Sequence, residues 1–401
     1  MSINVHQSSD LAQMQALPLE AKIIMTKQRI KAWYESWTRF EIVDDATGKT
    51  RFVTIDTREF GTEPPLKESE WIKSAIDGQV YVSFSGGKDS TVLKHIVDSM
   101  YDDVPSLFVN TGLEYPEIQK FAMSQKNVVT VRPEMRFDEV IKKYGYPLIS
   151  KEVSGTISGA KNSLAKGVYS HRLCKLGVLK DEYGGLFDDG KYDYSKSLNK
   201  SMYRQDHWRF LLDADFDVSN NCCDVMKKNP SKKYEKETGR RAIVGTMAWE
   251  SQNRRTAWIR HGCNAFDSKR PTSQPLSFWT EQDILHYIKK YDVPYCSVYG
   301  DIVADFGDVP NEQMNLIDYL GEYDVTDKLK TTGCDRTGCI FCMFGCHLEK
   351  EPNRFQRLKE THPRQYQYCI GGGEMVGGKW QPSKEGLGLG KVLDYIGVKY
   401  D

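Results

Sequence analysis

A glycine-rich turn between a predicted strand and a predicted helix has the clearest chemical potential in this sequence. It reads Ser83-Phe84-Ser85-Gly86-Gly87-Lys88-Asp89-Ser90. Glycines at such a turn bring backbone N–H groups close to a ligand, and the positive end of the helix dipole favours an anion. The ammonium of Lys88 and the hydroxyls of Ser85 and Ser90 add further donors. The turn is therefore predicted to bind phosphate.

Two common phosphate-binding patterns do not fit this turn. A Walker loop needs a glycine where Val82 stands, and the Gly-x-Gly-x-x-Gly spacing of a dinucleotide fingerprint is absent. The remaining alternative is an ordinary turn in which glycine serves only the backbone geometry. The combination of serines, lysine and aspartate with the glycine pair favours the phosphate-binding interpretation.

Cysteines form the second group of residues with chemical potential. A tandem pair, Cys222-Cys223, lies far upstream of a local group within thirteen residues that contains Cys334, Cys339, Cys342 and Cys346. The C-x-x-C spacing within that group suits two ligands on one metal site, and thiolates bind zinc or an iron–sulfur cluster alike. Spacing alone leaves both metals open, and packed free thiols are the weaker alternative. Four isolated cysteines are predicted to be small buried residues: Cys174, Cys263, Cys296 and Cys369.

Composition excludes several classes of protein. The 401 residues are 39% hydrophobic, and 55 basic residues balance 55 acidic ones. These values exclude a disordered, collagen-like or coiled-coil chain and a generally basic nucleic-acid coat. The sequence has no apolar run of about 18 residues and no signal-peptide pattern at its start, so a cytoplasmic protein without membrane contact is expected. Residues 225–270 are locally basic, with twelve bases against four acids.

Alternating strands and helices are predicted to position these residues. Strands are predicted at 79–84, 105–110, 128–132 and 242–246, and helices at 91–100, 114–124 and 281–291. This alternation predicts an α/β fold with a parallel sheet and helices on both faces. Residues 1–75 are predicted to form an extension with a helix at 20–37 and a hairpin from 40–43 to 51–55. A nucleotide-binding domain is predicted at 76–300 with an inserted excursion at 181–240, followed by a Cys-rich region at 301–401.

The turn resembles the pyrophosphate-binding loop of the ATP pyrophosphatase (PP-loop) superfamily. Two further segments resemble the phosphoadenosine phosphosulfate (PAPS) reductase family within it: Gly245-Thr246-Met247-Ala248-Trp249-Glu250-Ser251-Gln252-Asn253-Arg254-Arg255 and Pro275-Leu276-Ser277-Phe278-Trp279. The resemblance covers about residues 78–347 and implies an adenine nucleotide alpha hydrolase-like fold. It implies that ATP is bound by Ser83, Ser85, Gly86, Gly87, Lys88, Asp89, Ser90, Asn110, Thr111, Gly112, Arg254 and Arg255. Lys88, Ser85 and Asp89 are the implied catalytic residues, and Asp89 is the candidate to support Mg²⁺.

The same resemblance suggests which cysteines bind a metal. Adenylyl-sulfate reductases hold a [4Fe–4S] cluster with a tandem Cys-Cys and a distant C-x-x-C, which Cys222, Cys223, Cys339 and Cys342 match. Related sulfurtransferases draw four ligands from one local group, so Cys334 and Cys346 are the alternative to the upstream pair. Zinc stays the alternative metal.

Two departures from the reductases favour an enzyme that uses ATP. The sequence has no Glu-Cys-Gly-Leu-His segment near its C-terminus, and its Ser-Gly-Gly-Lys-Asp-Ser loop is intact. The expected reaction is cleavage of ATP to AMP and pyrophosphate, with adenylation of an acceptor and iron–sulfur-dependent sulfur transfer from an undetermined donor. The alternatives are a thiol-dependent reductase of adenylyl sulfate or PAPS, and a nucleic-acid-binding module that uses the basic stretch with Tyr234, Trp249 and Trp258. A zinc-stabilised scaffold without activity is a weaker alternative. A nucleic acid is also a possible acceptor for the enzyme.

Overall fold

The computed structural model describes residues 6–58, 62–179, 182, 204–305 and 328–401. The chain divides into two compact units, each assembled from three separate segments. Unit 1 comprises Met1–Asn110, Glu114–Arg132 and Pro230–Thr337, and unit 2 comprises Thr111–Leu113, Pro133–Asn229 and Gly338–Asp401. Much of the predicted excursion at 181–240, and residues 306–327 of the predicted Cys-rich region, lie outside the described residues. The predicted domain boundaries stay a prediction.

The regular elements are numbered in chain order. The strands in the described residues are β1 (Trp37–Asp44), β2 (Lys49–Asp56), β3 (Glu70–Ile76), β4 (Val80–Phe84), β5 (Ser106–Val109), β6 (Val128–Val131), β7 (Leu148–Ile149), β8 (Arg241–Val244), β9 (Asn264–Ala265), β10 (Thr272–Ser273), β11 (Ile302–Ala304), β12 (Leu329–Thr331), β13 (Met343–Phe344), β14 (Glu374–Val376) and β15 (Lys379–Gln381). The α-helices are α1 (Ser8–Gln15), α2 (Leu19–Glu35), α3 (Lys88–Asp98), α4 (Pro116–Ser124), α5 (Phe137–Tyr144), α6 (Lys151–Ala165), α7 (His171–Lys175), α8 (Asn229–Thr238), α9 (Gln252–His261), α10 (Glu281–Lys290), α11 (Arg354–Thr361), α12 (Pro363–Ile370) and α13 (Leu389–Tyr395). Short 3₁₀ turns occur at Asp206–Leu212, Ala248–Glu250, Ser297–Tyr299 and Cys346–Leu348, and a π-helical turn occurs at Asp224–Lys228.

Unit 1 begins with two helices and a three-stranded antiparallel sheet. The strand order is β2-β1-β3, and the hairpin of β1 and β2 pairs Glu41 with Phe52. The helix and hairpin predicted for this region are confirmed, and β3 is an additional strand.

A mostly parallel sheet forms the centre of unit 1. Its order is β6-β5-β4-β8-β10-β9, with parallel pairing from β6 to β10 and an antiparallel edge strand, β9. The central strands β4 and β5 are short, apolar and buried, as expected where both faces of a parallel sheet are covered. The predicted α/β fold class is confirmed, and the crossover from β4 through α3 to β5 is the βαβ unit that places the glycine-rich turn.

The amphipathic pattern of α3 explains how that turn is anchored. Val92, Leu93, Ile96 and Val97 recur at helical spacing and are fully buried in the main hydrophobic core. The same core includes Trp33 of α2 and Leu285 of α10. The N-terminus of α3 is therefore held by a packed helix and a buried strand. None of the helices in the described residues has both the length and the apolar character of a membrane span.

Unit 2 brings together two segments that are far apart in sequence. β13 pairs in parallel with β7, placing Met343 beside Leu148. The ammonium of Lys379 lies 2.6 Å from the Asp217 carboxylate. Residues 338–401 are therefore an integral part of the unit that contains residues 133–229.

Candidate functional site

The turn from β4 into α3 requires glycine at Gly86. Gly86 has a φ of +74°, and a Cβ there would lie 3.0 Å from Ile118 Cγ2 and 3.1 Å from the Ile118 carbonyl oxygen. Gly87 has an ordinary φ of −76° and is the N-cap of α3, but a Cβ there would lie 3.2 Å from the Tyr299 hydroxyl. The first glycine thus permits the turn, and the second keeps open the space in front of the helix N-terminus.

Hydrogen bonds between its own residues close the turn. The Ser90 hydroxyl donates to the Gly87 carbonyl at 2.9 Å and accepts the Ser85 N–H at 3.2 Å. The two serine hydroxyls lie 3.1 Å apart, so Ser85 Oγ donates to Ser90 Oγ. Ser90 is buried whereas Ser85 is exposed. In this state Ser90 shapes the loop, and Ser85 is the serine that solvent or a ligand reaches.

Lys88 is buried and held by residues from distant segments. Its ammonium donates to the Asp335 carbonyl at 2.6 Å and lies 3.0 Å from the Glu281 carboxylate. Its backbone N–H donates to the Tyr299 hydroxyl at 3.2 Å. Burial raises the pKa of Tyr299 to about 12, so its phenol stays protonated at neutral pH. Lys88 is thus fixed in position within unit 1.

A cavity of about 340 Å³ opens in front of the turn. Three cations line it, Lys88, Arg254 and Arg336, together with the carboxylates of Asp89 and Glu250. Both arginines form ion pairs with Glu250. Burial and the nearby Arg336 lower the pKa of Arg254. One carboxylate therefore orients two guanidiniums in a cavity that begins at the ends of β4 and β8.

Asp89, unlike Glu250, has a carboxylate oxygen that no described group of the cavity satisfies. Its Oδ1 atom is buried and has no hydrogen-bond partner among the described residues. Desolvation raises the pKa of Asp89, although Lys88 and Arg336 oppose the shift. An orphaned carboxylate oxygen in an anion-binding cavity is a suitable ligand for a hard cation such as Mg²⁺.

The other predicted nucleotide-binding residues have different positions. Ser83 lines the cavity. Asn110 is buried, with its side-chain oxygen accepting from Gln119 Nε2 at 2.7 Å, and is not among the lining residues in the described part of the chain. In unit 2, Thr111 Oγ1 accepts the Leu113 N–H at 3.1 Å and Gly112 has a φ of +72°. Their contact with ATP stays a prediction.

The neighbouring arginines of α9 face different surroundings. Arg254 lines the cavity, whereas Arg255 is exposed and is not one of the lining residues described. Successive residues of an α-helix point about 100° apart, so the two side chains leave the helix in different directions. The shared anion-binding role predicted for them therefore has geometric support only at Arg254.

The structure corrects one detail of the basic stretch. Trp258 and Tyr234 are 2% and 8% exposed, so they are core residues that cannot stack on nucleic-acid bases. Trp249 is 44% exposed, and the Arg336 guanidinium lies 5.3 Å from its ring centroid. The aromatic part of the nucleic-acid prediction is wrong for two of its three residues.

Sequence reasoning did not select Tyr299, Glu281, Asp335, Arg336 or Thr337. These residues come from α10 and from the segments around residues 299 and 336, and they meet the turn only in the folded chain. One sequence signal was available, because Asp335-Arg336-Thr337-Gly338 separates Cys334 from Cys339 and places a basic residue close to a cysteine that the sequence analysis considered as a ligand.

Four cysteines converge on a second pocket, which lies within unit 2. Its lining includes Cys222, Cys223, Cys339 and Cys342, the quartet favoured by the sequence. Most of the remaining lining is apolar, from Leu113, Phe137, Pro147 and Met226, and Lys227 adds one charge. The tandem pair directly precedes the π-helical turn, an irregularity that often occurs at functional sites.

The thiols of this pocket differ in acidity. The Cys222 thiol lies 3.9 Å from Cys223 Sγ and donates to it, which lowers the pKa of Cys223; Lys151 and Lys227 act in the same direction. The pKa of Cys222 is raised correspondingly. Burial raises the pKa of Cys342, with opposition from Arg354. The pair therefore releases its first proton readily, as a thiolate ligand must.

The remaining cysteines are placed differently. Cys346 is buried and its thiol donates to the Met343 carbonyl at 3.1 Å, and Cys334 belongs to unit 1. Neither is among the pocket's described lining residues. Cys174, Cys263, Cys296 and Cys369 are buried, which confirms the prediction for them. No three His, Cys, Asp or Glu side chains in the described ranges are grouped so that they could hold a metal ion.

Comparison with known proteins identifies the family. The family model described as the phosphoadenosine phosphosulfate reductase domain matches residues 79–154 and 190–343, more than half of the chain. An uncharacterised protein of Methanocaldococcus jannaschii is 35% identical over 72 residues, which cover 17% of this chain and 18% of that protein. The adenosine 5′-phosphosulfate reductase of Staphylococcus haemolyticus is 28% identical over 96 residues, covering 23% of this chain and 36% of the reductase. The aligned part is thus well under half the length of either relative. The chain belongs to the phosphoadenosine phosphosulfate reductase family of the PP-loop ATP pyrophosphatase superfamily, a family of sulfur-related, nucleotide-processing enzymes.

Proposed function

We propose that this enzyme binds ATP at the loop from Ser85 to Ser90, transfers the adenylyl group to an acceptor and releases pyrophosphate. The observation that supports it is the cavity in which Lys88, Arg254 and Arg336 meet the N-terminus of an eleven-residue helix. A triphosphate needs several positive groups at fixed positions, and this cavity provides them from two segments of unit 1.

In the proposed reaction an acceptor oxygen attacks the α-phosphorus and forms a new P–O bond. The bond from the α-phosphorus to the bridging oxygen breaks, and pyrophosphate leaves with that electron pair. Lys88 and the N-terminus of α3 stabilise the charge that develops on pyrophosphate, and Arg254 and Arg336 orient the remaining oxygens. Because Glu281 and Asp335 already fix the Lys88 ammonium, little reorganisation is needed when the charge moves.

The family implies two further groups, and the chain offers candidate ligands for each of them. Asp89 would hold Mg²⁺ through its orphaned Oδ1 atom, and the ion would neutralise phosphate charge. Cys222, Cys223, Cys339 and Cys342 would hold a [4Fe–4S] cluster, whose chemistry would be the binding or delivery of sulfur. Most of the residues around these thiols are apolar, and Lys227 would offset part of the negative charge of four thiolates.

The test uses ATP labelled with ³²P at the α-position, with candidate acceptors that include nucleic acid. Labelled AMP or an adenylated acceptor is expected as the product, together with unlabelled pyrophosphate. Lys88→Ala should lower turnover by about 10²–10³-fold and should change ATP affinity much less. Labelled ADP as the main product, or normal turnover in Lys88→Ala, would refute the proposal.

A thiol-dependent reductase is the second candidate. The similarity to the staphylococcal adenosine 5′-phosphosulfate reductase and the convergence of the cysteine quartet favour it. Release of sulfite from adenylyl sulfate, with a thiol reductant and without ATP, would establish this activity in place of adenylation.

A further inference from the structure

A third cavity, of about 500 Å³, lies in unit 2, whereas the phosphate-binding turn belongs to unit 1. It is formed between the N-terminal part of α6 and the short helix α7. Cationic and polar side chains dominate its lining, chiefly Lys151, His171, Arg172, Lys175 and Asn220, with one carboxylate, Glu152. We infer that this cavity binds a phosphate or sulfate group of a second ligand. The inference does not rest on the proposed reaction of ATP.

Two glycines within α6 shape the cavity. A Cβ on Gly155 would lie 2.8 Å from Asn220 Nδ2, and a Cβ on Gly159 would lie 2.2 Å from Arg172 Cδ. Glycine in a helix interior is less favourable than alanine by about 0.5–1 kcal/mol. The two positions are four residues apart, on one face of the helix. The two glycines therefore lower the stability of the helix, and they leave room for Asn220 and Arg172 to lie directly against this face.

Seating Arg172 in this way fixes the direction of its guanidinium. Its side chain from Cδ to Cζ crosses α6 at Gly159. Asn220 is fixed as well, because its Nδ2 donates to the Lys151 carbonyl at 3.1 Å. A preorganised guanidinium loses less conformational entropy when it binds an oxyanion through two parallel hydrogen bonds.

In the described part of the chain, two cations of the cavity are not paired with a carboxylate. The Glu152 carboxylate accepts from Lys175 Nζ at 3.2 Å and from Gln205 Nε2 at 3.1 Å. Within the described residues, neither Lys151 nor Arg172 has an ion pair with a carboxylate. Lys151 and Glu152 also form the first turn of the fifteen-residue helix α6, where the helix dipole favours an anion. The negative charge of a tetrahedral oxyanion would be stabilised by both cations and by the N-terminus of α6.

Lys151 connects this cavity with the cysteine pocket. It lies beside the Cys223 side chain, and it also lines the cavity. An oxyanion bound between Lys151 and Arg172 is therefore near the cysteine pair. If the bound group is a sulfate, the second ligand is a sulfur compound. If it is a phosphate, the second ligand is a phosphorylated compound.

Isothermal titration calorimetry with inorganic phosphate and, separately, with sulfate tests the inference on the full chain. Saturable binding is expected at two sites, the phosphate-binding turn and this cavity. Arg172→Ala should remove the second site and Arg172→Lys should weaken it at least tenfold, whereas Arg254→Ala should affect only the first. Arg364→Ala, which removes an exposed arginine of α12 in the same unit, is the matched control and should leave both sites unchanged.

Gly159→Ala separates binding from folding. Alanine favours the helix, but its methyl group occupies the position of the Arg172 side chain, so anion affinity should fall at least tenfold while the protein stays folded. Preference for sulfate or for phosphate identifies the ligand class, and either result supports the site. Unchanged binding in folded Arg172→Ala and Gly159→Ala, or no saturable binding that depends on Arg172, would overturn the inference.

Discussion

Replacing Gly86 with alanine tests whether the phosphate-binding turn is fixed by its contact with α4. A non-glycine residue in the left-handed conformation costs about 1–2 kcal/mol. The new Cβ would also lie 3.0–3.1 Å from Ile118 atoms, one of which belongs to the backbone. Overpacking of this kind costs about 1–3 kcal/mol. The free energy of unfolding should therefore fall by about 2–5 kcal/mol, a large part of the ~5–15 kcal/mol of a typical domain.

Two matched variants isolate the components of that loss in urea denaturation. Gly48→Ala introduces the same strain, with a φ of +65° and no atom within 4 Å of the new Cβ, so it should cost only about 1–2 kcal/mol. Gly87→Ala has no backbone strain, but its methyl group would lie 3.2–3.3 Å from three hydroxyl oxygens at the cavity, so it should lower stability less than Gly86→Ala and should weaken ATP binding. Equal losses of stability in Gly86→Ala and Gly48→Ala would refute the argument from the α4 contact. Normal ATP affinity in Gly87→Ala would refute the placement of the phosphates.

Three further predictions concern charge and metal. Arg254→Lys should weaken ATP binding by about 10–100-fold, the worth of one hydrogen bond between charged groups, and Arg255→Lys should have little effect; equal effects in a binding titration would contradict the geometry. Cys339→Ser should remove most iron and acid-labile sulfide from anaerobically purified protein, whereas Cys346→Ser should retain them; the reverse result would favour the local quartet. Burial raises the pKa of Asp89, so the folded state keeps a proton that the unfolded state releases, and stability falls as the pH rises from about 4 through the folded value. Asp89→Asn should remove this pH dependence, which urea denaturation at several pH values would detect, and should also remove the Mg²⁺ dependence of ATP binding.

Much of the fold could be predicted because its signals are local. The strands β4, β5, β6 and β8 are short apolar runs, and their alternation with helices determines a mostly parallel sheet. The strand β3 was missed because its exposed side chains include Trp71 and Ile76, which obscure the alternation of polar and apolar residues. The edge strand β9 was missed because two residues have no detectable period.

Around Lys88, only the glycine-rich turn of the candidate site could be predicted from the sequence. The turn itself is contiguous, so its residue types and spacing could be read together. The groups that fix Lys88 are not contiguous with it, since Tyr299 lies 211 residues and Asp335 lies 247 residues further along the chain. No local pattern specifies such contacts, and the different surroundings of Arg254 and Arg255 likewise depend on how α9 is rotated.

The segmented construction of unit 2 determines the order in which the thiol pocket can form during protein synthesis. Cys222 and Cys223 leave the ribosome more than a hundred residues before Cys339 and Cys342. Their partners sit in residues 338–401, which fold onto the earlier segment through β13 and the contacts of the C-terminal hairpin. Throughout that interval the chain contains only two of the pocket's four cysteines. The four-cysteine pocket is therefore complete only after residues 338–401 have been synthesised, and a chain that stops before Cys339 would lack half of its cysteines.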